Sequence, residues 1–180
     1  GTQDRPFKVH LPNDFESYFS IRDYGTGLSP EAVETIYCTY FSSTRNESDD
    51  YTGALGLGSK SPFSYSEQFT VTSFYNGRVY TYSAFKSEKC EPSIAIMSDQ
   101  PTTEPNGVEV RINIERGDFW DFEKAAKKVY RFFPVRPDFT GRKIDFPQVE
   151  PTYFGDEFAL FDKDPGTVGV PGRVNVVMGN

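Results

Sequence analysis

The feature that most constrains the fold of this 180-residue chain is an Asn76-Gly77 dipeptide between two stretches of alternating polar and apolar residues. An Asn-Gly pair suits a two-residue type I′ turn, because both positions of that turn require a positive φ. The flanking segments, 68–74 and 79–85, have the period-two alternation of half-buried strands. The sequence therefore predicts an antiparallel β-hairpin here.

Further strands are predicted on both sides of this hairpin. Residues 18–22 are predicted as a short strand, and residues 93–97 as a third strand after the hairpin. A second Asn-Gly turn at Asn106-Gly107 precedes the regular alternation of residues 108–114. Residues 174–178 form a last apolar strand at the end of the chain.

Two helices are predicted from their start signals and apolar spacing. Ser29 as N-cap, with Pro30 at the first helical position, begins a helix predicted over residues 30–40. Asp118 is predicted to cap a second helix. Its expected apolar stripe is formed by Phe119, Phe122, Ala126, Val129 and Phe133, and Pro134 is expected to end it.

The order of these elements predicts an α+β fold, a two-layer sandwich in which helices cover one face of a mixed, mostly antiparallel sheet. Residues 1–134 are predicted to form the first domain. The loop-rich residues 135–180 are predicted to begin a following α/β segment. The polar start and the strand at the end lead us to expect a fragment of a longer protein.

Composition narrows the classes of function. The 17 Phe and 11 Tyr can fill a core, so disorder is a poor description of this chain. A net charge of −7 with no basic stripe argues against nucleic acid as a partner. Cys38, Cys90 and the single His10 lack the spacing of a metal site. The two isolated cysteines suit a cytoplasmic protein, and no signal peptide or membrane-spanning segment is found in the sequence.

The first cluster with chemical meaning is Asp23-x-Gly25-x-Gly27, directly after the predicted strand 18–22. An aspartate at a strand end can accept a hydrogen bond from the exocyclic amine of a purine. Glycines beside it let a ring approach the backbone without a clashing Cβ. Taken alone, however, this pattern is also that of an ordinary turn.

The second cluster is Gly53-x-x-Gly56-x-Gly58, before a predicted short helix. Glycines and a helix N-terminus suit phosphate, although a flexible surface loop has the same pattern. The P-loop pattern G-x-x-x-x-G-K-[ST] does not fit, because Lys60 comes one position late and no buried strand precedes the loop. A serine hydrolase is improbable with His10 as the only histidine.

The order of these motifs from about residue 21 to residue 114 resembles that of the GHKL (Bergerat-fold) ATPases, and especially the branch with the Hsp90 chaperones and MutL. A narrower resemblance, over nearly the whole chain, is to the N-terminal region of the phage rIIA lysis-inhibition proteins. It rests on IRDYGTGL at 21–28, GALGLGSKSPFSY at 53–65 and VVMGN at 176–180.

This resemblance implies an ATP or ADP site. Asp23 would bind the adenine amine, Gly25 and Gly27 would shape the base pocket, and Leu28 would pack on the base. Residues 42–55 would be the ATP lid. The phosphates would lie on the glycine loop, whose expected nucleotide-binding residues are Gly53, Gly56, Leu57, Gly58, Ser59 and Lys60.

The sequence also departs from the family. A helix before the Asp-x-Gly-x-Gly strand supplies a catalytic Glu and a Mg²⁺-binding Asn in these ATPases. Only 22 residues precede Asp23, and none of them forms Glu-x-x-x-Asn. We therefore assign no catalytic residue and no metal ligand, and expect Mg²⁺ to depend on residues outside this chain. Val108 also stands where most relatives have a threonine.

Three interpretations stay open. The chain is an ATP-binding domain that hydrolyses ATP poorly by itself, a non-catalytic interaction scaffold that keeps the fold, or an unrelated α+β domain with accidental glycine turns. Without the upstream helix, one sheet face is expected to be apolar and exposed. That face predicts a homo-oligomer or a rearranged N-terminus.

Overall fold

A computed structural model describes residues 5–38, 58–88, 91–133, 135–146, 153–154, 158–161 and 175–178. The strands are β1 (Lys8–His10), β2 (Tyr18–Arg22), β3 (Gln68–Tyr75), β4 (Arg78–Lys86), β5 (Pro92–Pro101), β6 (Gly107–Asn113), β7 (Asp138–Thr140), β8 (Tyr153–Phe154), β9 (Phe158–Phe161) and β10 (Asn175–Met178). The helices are α1 (Pro30–Cys38), α2 (Phe119–Val129) and the 3₁₀ helices Gly58–Ser64, Arg116–Asp118 and Tyr130–Phe132.

Seven strands form one mixed sheet in the order β5-β4-β3-β6-β2-β1-β7. Every neighbouring pair is antiparallel except β1 and β7, which run parallel. The predicted hairpin is confirmed. Tyr75 pairs with Arg78, and the two turn residues have φ values of 50° at Asn76 and 74° at Gly77. Strands β8, β9 and β10 form a separate three-stranded antiparallel sheet.

The core of the seven-stranded sheet lies on one of its faces. Val33 and Tyr37 of α1 pack in one cluster with Val71 of β3, and Ala126 of α2 packs in a second cluster with Val9 of β1. The opposite face carries polar and charged residues, among them Thr70, Thr72, Thr81, Glu109 and Arg111. The predicted α+β class, with helices on one face of a mixed sheet, is therefore confirmed.

The sequence missed several short strands. β1 and β7 have three residues each, too few to show an alternation. β5 is longer than the predicted 93–97 and contains a bulge opposite Thr81 and Tyr82. β7 follows residue 134, where the first predicted domain ends, and it pairs with β1 in the main sheet.

The prediction for the second helix was right in position and wrong in detail. Asp118 precedes α2 but makes no capping hydrogen bond, because its carboxylate accepts a hydrogen bond from the Tyr65 hydroxyl at 2.6 Å. Val129 is 54% exposed and Phe133 is 41% exposed, and Tyr130 is buried in their place. The α-helix ends at Val129, and the tighter 3₁₀ turn that follows rotates the later side chains off the stripe.

The sheet face that was expected to be open lies partly under α2. Phe19 of β2 contacts Phe122 of α2, with ring centroids 5.2 Å apart, and Ile21 packs against the second cluster. The homo-oligomer expected from an exposed face stays a prediction. No helix in the described part of the chain is long and apolar enough to cross a membrane.

Candidate functional site

The site begins at Asp23, the first residue after β2. The Asp23 backbone N–H donates to the Val108 carbonyl at 2.9 Å, which continues the pairing of β2 with β6. Its carboxylate Oδ1 accepts backbone N–H groups from Gly25 at 2.8 Å and from Val108 at 3.2 Å. Two donors thus fix the carboxylate, and among the described residues no hydrogen bond is made to Oδ2.

Two glycines allow the turn after Asp23 to lie directly against neighbouring backbone. Gly27 has φ +75°, and a Cβ there would overlap the carbonyl oxygen of Phe74. Gly107 has φ +150°, and a Cβ there would overlap the carbonyl oxygen of Asp23. Any side chain at either position would push the turn away from the sheet. By contrast, Gly25 is exposed, and the nearest atom to an added Cβ would be Oδ1 of Asp23 at 3.2 Å.

Ser73 holds the next residue of the turn in place. Its hydroxyl accepts the Leu28 backbone N–H at 2.9 Å and donates to the Leu28 carbonyl at 2.7 Å. Ser73 is fully buried. Sequence reasoning missed this residue, although a serine in line with Phe69 and Val71 on the apolar side of β3 is the signal that could have identified it.

Tyr37 closes the apolar side of the site. It is 4% exposed and lies in the first core cluster with Leu28. Burial, with a further contribution from the negative charge of Asp23, raises the pKa of its hydroxyl well above the ordinary value. Tyr37 therefore remains a neutral hydroxyl near the Asp23 carboxylate at physiological pH.

The predicted phosphate side is only partly described. Gly53, Gly56 and Leu57, with the whole predicted lid at 42–55, lie outside the described residues. Gly58 begins a 3₁₀ helix, Gly58–Ser64, that contains Pro62. The predicted phosphate contacts at these positions stay predictions.

Ser59 and Lys60 lie against the C-terminal turn of α1. The Lys60 ammonium and the Ser59 hydroxyl both donate to the carbonyl of Ile36, the latter at 3.3 Å. Lys60 is 8% exposed, so its charge neutralises the negative end of the α1 dipole from a buried position. A contact from Lys60 to phosphate would have to form in addition to this bond or replace it.

Two open clefts lie at the other end of β2, and neither includes Asp23. Both are lined by Phe15 and Glu16. The larger, of about 590 Å³, also contains Arg142 and Lys143. Among the described residues, no group of three or more His, Cys, Asp or Glu side chains is placed to hold a metal ion.

The structure thus brings together Asp23, Gly25, Gly27 and Leu28, with Ser59 and Lys60 at the far end of α1. No protein-family profile matches this chain, and no curated protein matches it either. The fold and this turn define the class of candidate site. It is a carboxylate that lies at the end of a strand and is held by backbone N–H groups. Beside it, Gly27 and Gly107 pack directly against the neighbouring backbone.

Proposed function

We propose that this chain is an ATP-binding domain of the GHKL type, similar to the N-terminal region of the phage rIIA proteins. The observation that carries the proposal is the state of the Asp23 carboxylate. Oδ1 is held by two backbone N–H groups, and Oδ2 accepts no hydrogen bond from the residues that the structure describes. A carboxylate fixed in this way is preorganised to accept one N–H from a ligand.

An adenine base fits these properties. Its exocyclic amine would donate to Oδ2 of Asp23, and the exposed Gly25 would let the ring lie close to the backbone. Gly27 and Gly107 would support the site indirectly, because they let the turn pack against the neighbouring backbone. The partly buried Val108 side chain offers an apolar contact and no hydrogen bond. The phosphates of ATP or ADP would extend toward Gly58 and the glycine loop, with Mg²⁺ bound mainly through those phosphates.

Hydrolysis is not assigned to a residue of this chain. The family's general base and Mg²⁺-binding Asn have no counterpart in the 22 residues before Asp23. We therefore propose binding with little turnover. We place this activity in the cytoplasm, where ATP and Mg²⁺ are present.

A non-catalytic scaffold is the second candidate, and the position of Lys60 favours it. Its ammonium is buried on the Ile36 carbonyl at the end of α1, which is a structural role. On this interpretation the Asp23 turn only closes the sheet, and the glycine loop has no ligand.

Calorimetric titration of Mg-ATP and Mg-ADP separates the two candidates. Asp23→Asn is a sharp variant because the amide oxygen can still accept the two backbone N–H groups. The turn should therefore keep its hydrogen bonds. The side-chain NH₂ group replaces the Oδ2 acceptor, so the adenine amine would face a second donor and lose its hydrogen bond. The matched control is Asp99→Asn. Asp99 lies on the edge strand β5, separated from β2 by three other strands, and its charge pairs with Arg78 of β4.

Under the ATP-binding proposal, the wild type and Asp99→Asn bind and Asp23→Asn loses at least about tenfold in affinity. If a correctly folded wild-type chain shows no heat of binding, the scaffold is supported. Equal affinity in all three proteins would place the ligand somewhere other than Asp23.

A further inference from the structure

Strand β5 forms an open edge of the seven-stranded sheet. It pairs with β4 on one side, and no strand in the described part of the chain pairs with its outer side. Ile96 is 58% exposed and Met97 is 68% exposed. The strand is blunted only by Pro92, Pro101 and the bulge at Met97, which has no residue opposite it in β4. Residues 92–96 are therefore a continuous edge to which an extended chain can add.

Two carboxylates of α1 lie on the helix that packs against β5. Glu31 and Glu34 are three residues apart and exposed. Glu31 makes a hydrogen bond with Ser29, which does not neutralise its charge, and neither glutamate has a cationic partner among the described residues. Asp99 of β5 is a third carboxylate, and Arg78 neutralises it at 2.7 Å. Two negative charges are thus left without a counter-charge beside the open edge.

A buried hydroxyl without a partner lies close to these three carboxylates. Tyr82 of β4 is paired with Ile96, so both side chains are on the helix-covered face of the sheet. Tyr82 is 3% exposed, and its hydroxyl has no hydrogen-bond partner among the described residues. Burial raises the pKa of Tyr82 to about 12, and the three carboxylates add to the shift. Because an unpaired buried hydroxyl lowers stability, its retention here points to a partner from outside the chain.

A guanidinium or ammonium group has the properties that this arrangement requires. Its N–H donors point in several directions, so one group can bond a carboxylate and a hydroxyl oxygen together. The aliphatic stem of an arginine or lysine can pack on the exposed Ile96. The cation reaches the buried Tyr82 hydroxyl once the Ile96 side chain changes its rotamer, which exposed side chains do rapidly.

We propose that β5 binds an extended, basic segment of a partner protein. The segment adds to the sheet as a further strand along residues 92–96, and one of its arginine or lysine side chains bonds Glu34 and the Tyr82 hydroxyl, with Glu31 nearby. Main-chain hydrogen bonds supply affinity, and the cation selects the partner.

The charge of the chain distinguishes this partner from a second copy. The net charge is −7, and the uncompensated charges beside the edge are both negative. Two copies that met through this edge would bring like charges together, whereas a basic segment is attracted to it. The surface is also separate from Asp23, since three strands lie between β5 and β2. Failure of nucleotide binding would leave this proposal unchanged.

The test uses a labelled synthetic peptide in which valine alternates with arginine, and a matched peptide with glutamine in place of every arginine. Fluorescence anisotropy with the whole chain at low ionic strength should show that the arginine peptide binds at least about tenfold more tightly. Hydrogen exchange should show slower exchange of the amides of residues 92–96 when the arginine peptide is bound.

Two variants test the contacts of the cation. Glu34→Gln should weaken the arginine peptide by about twofold to fivefold. Tyr82→Phe removes only the unpaired hydroxyl, and it should weaken the peptide by about threefold to tenfold while the urea midpoint stays equal or rises. The matched control is Asp121→Asn, which removes the same charge from the first turn of α2 and should leave the affinity unchanged.

Several results would overturn the proposal. They are equal affinity for the two peptides, no binding of the arginine peptide to the folded chain, or unchanged affinity in Tyr82→Phe. An Asp121→Asn variant weakened as much as Glu34→Gln would show that only the overall charge attracts the peptide. Protection of residues 92–96 that rises with protein concentration in the absence of peptide would show that a second copy occupies the edge instead.

Discussion

His10 is a buried histidine whose protonation is disfavoured by its surroundings. Nδ1 makes a hydrogen bond with Thr140 Oγ1 at 2.9 Å, whereas Nε2 has no hydrogen-bond partner among the described residues. Burial is the largest cause that lowers its pKa, and Arg111 acts in the same direction. Glu16, with its carboxylate 3.7 Å from Nε2, and Glu109 oppose the shift but do not reverse it.

The sign of the pH dependence follows from this lowered pKa. The unfolded chain takes up a proton near pH 6.5, before the folded chain does, so stability is kept above that pH and lost as the pH falls toward the folded pKa. Between about pH 8 and pH 5.5, we expect the free energy of unfolding to fall more steeply in wild type than in His10→Gln. The difference between the two slopes should be less than about 1.4 kcal/mol per pH unit. Urea unfolding at several pH values measures this, and parallel curves would contradict it.

The positive φ of Gly27 gives a second prediction for a single residue. Gly27→Ala places a methyl group on the Phe74 carbonyl and forces alanine into a left-handed conformation. We expect a loss of about 2–4 kcal/mol in the free energy of unfolding. The matched control is Gly117→Ala, where an added Cβ has no neighbour within 4 Å. Equal urea midpoints for the two variants would mean that the Gly27 turn is not packed as described.

At the scale of elements, Tyr65 joins the segment after the glycine loop to α2. Its hydroxyl donates to Asp118 at 2.6 Å and accepts the Glu115 backbone N–H at 3.1 Å, while its ring packs edge-on against Phe122. Burial and the hydrogen bond to Asp118 raise the pKa of Tyr65, so the hydroxyl remains a donor at neutral pH.

A double-mutant cycle measures this connection. Tyr65→Phe and Asp118→Ala should each destabilise the chain by about 0.5–1.5 kcal/mol, and the two losses should overlap almost completely in the double variant. If Asp118 were a helix cap, as its position suggests, Asp118→Ala would cost as much in the Tyr65→Phe background as in wild type. Denaturant unfolding of the four proteins distinguishes the two roles.

Elements with strong local signals could be predicted from the sequence. The Asn76-Gly77 hairpin, strand β2 and the start of α1 at Pro30 appear where turn chemistry and capping put them. β1 and β7 could not be predicted, because three-residue strands have no period of their own. Each depends on a pairing partner far away in the sequence, Lys8 with Asp138 for example.

The candidate site was predictable only in part, for a similar reason. The Asp23 motif has a recognisable spacing, so the turn and its glycines were predicted. The close approach of Gly107 to Asp23 and the two hydrogen bonds from Ser73 to Leu28 join residues that are distant in the chain. Such contacts appear only once the strands are placed side by side.

At the scale of the whole molecule, the seven-stranded sheet connects the hydrophobic core to the candidate site at Asp23. The helix-covered face holds both core clusters, so most of the packing that stabilises the fold lies there. Asp23 directly follows β2, an interior strand of this sheet, and its backbone continues the pairing of β2 with β6. A ligand that binds at Asp23 only in the folded state would therefore stabilise the whole sheet against unfolding.

Adenine nucleotides should therefore raise the thermal midpoint of the chain, and other nucleotides should not. At a ligand concentration of about 100 times Kd, binding to the folded state alone adds about 2.7 kcal/mol, which for a chain of this size raises Tm by about 5–10 °C. Mg-ATP should give this shift in wild type and lose most of it in Asp23→Asn. Mg-GTP should give almost none, because its C6 carbonyl would face the Oδ2 acceptor of Asp23 with no proton between them. Equal shifts with Mg-ATP and Mg-GTP would show that the phosphates bind and that Asp23 does not recognise the base.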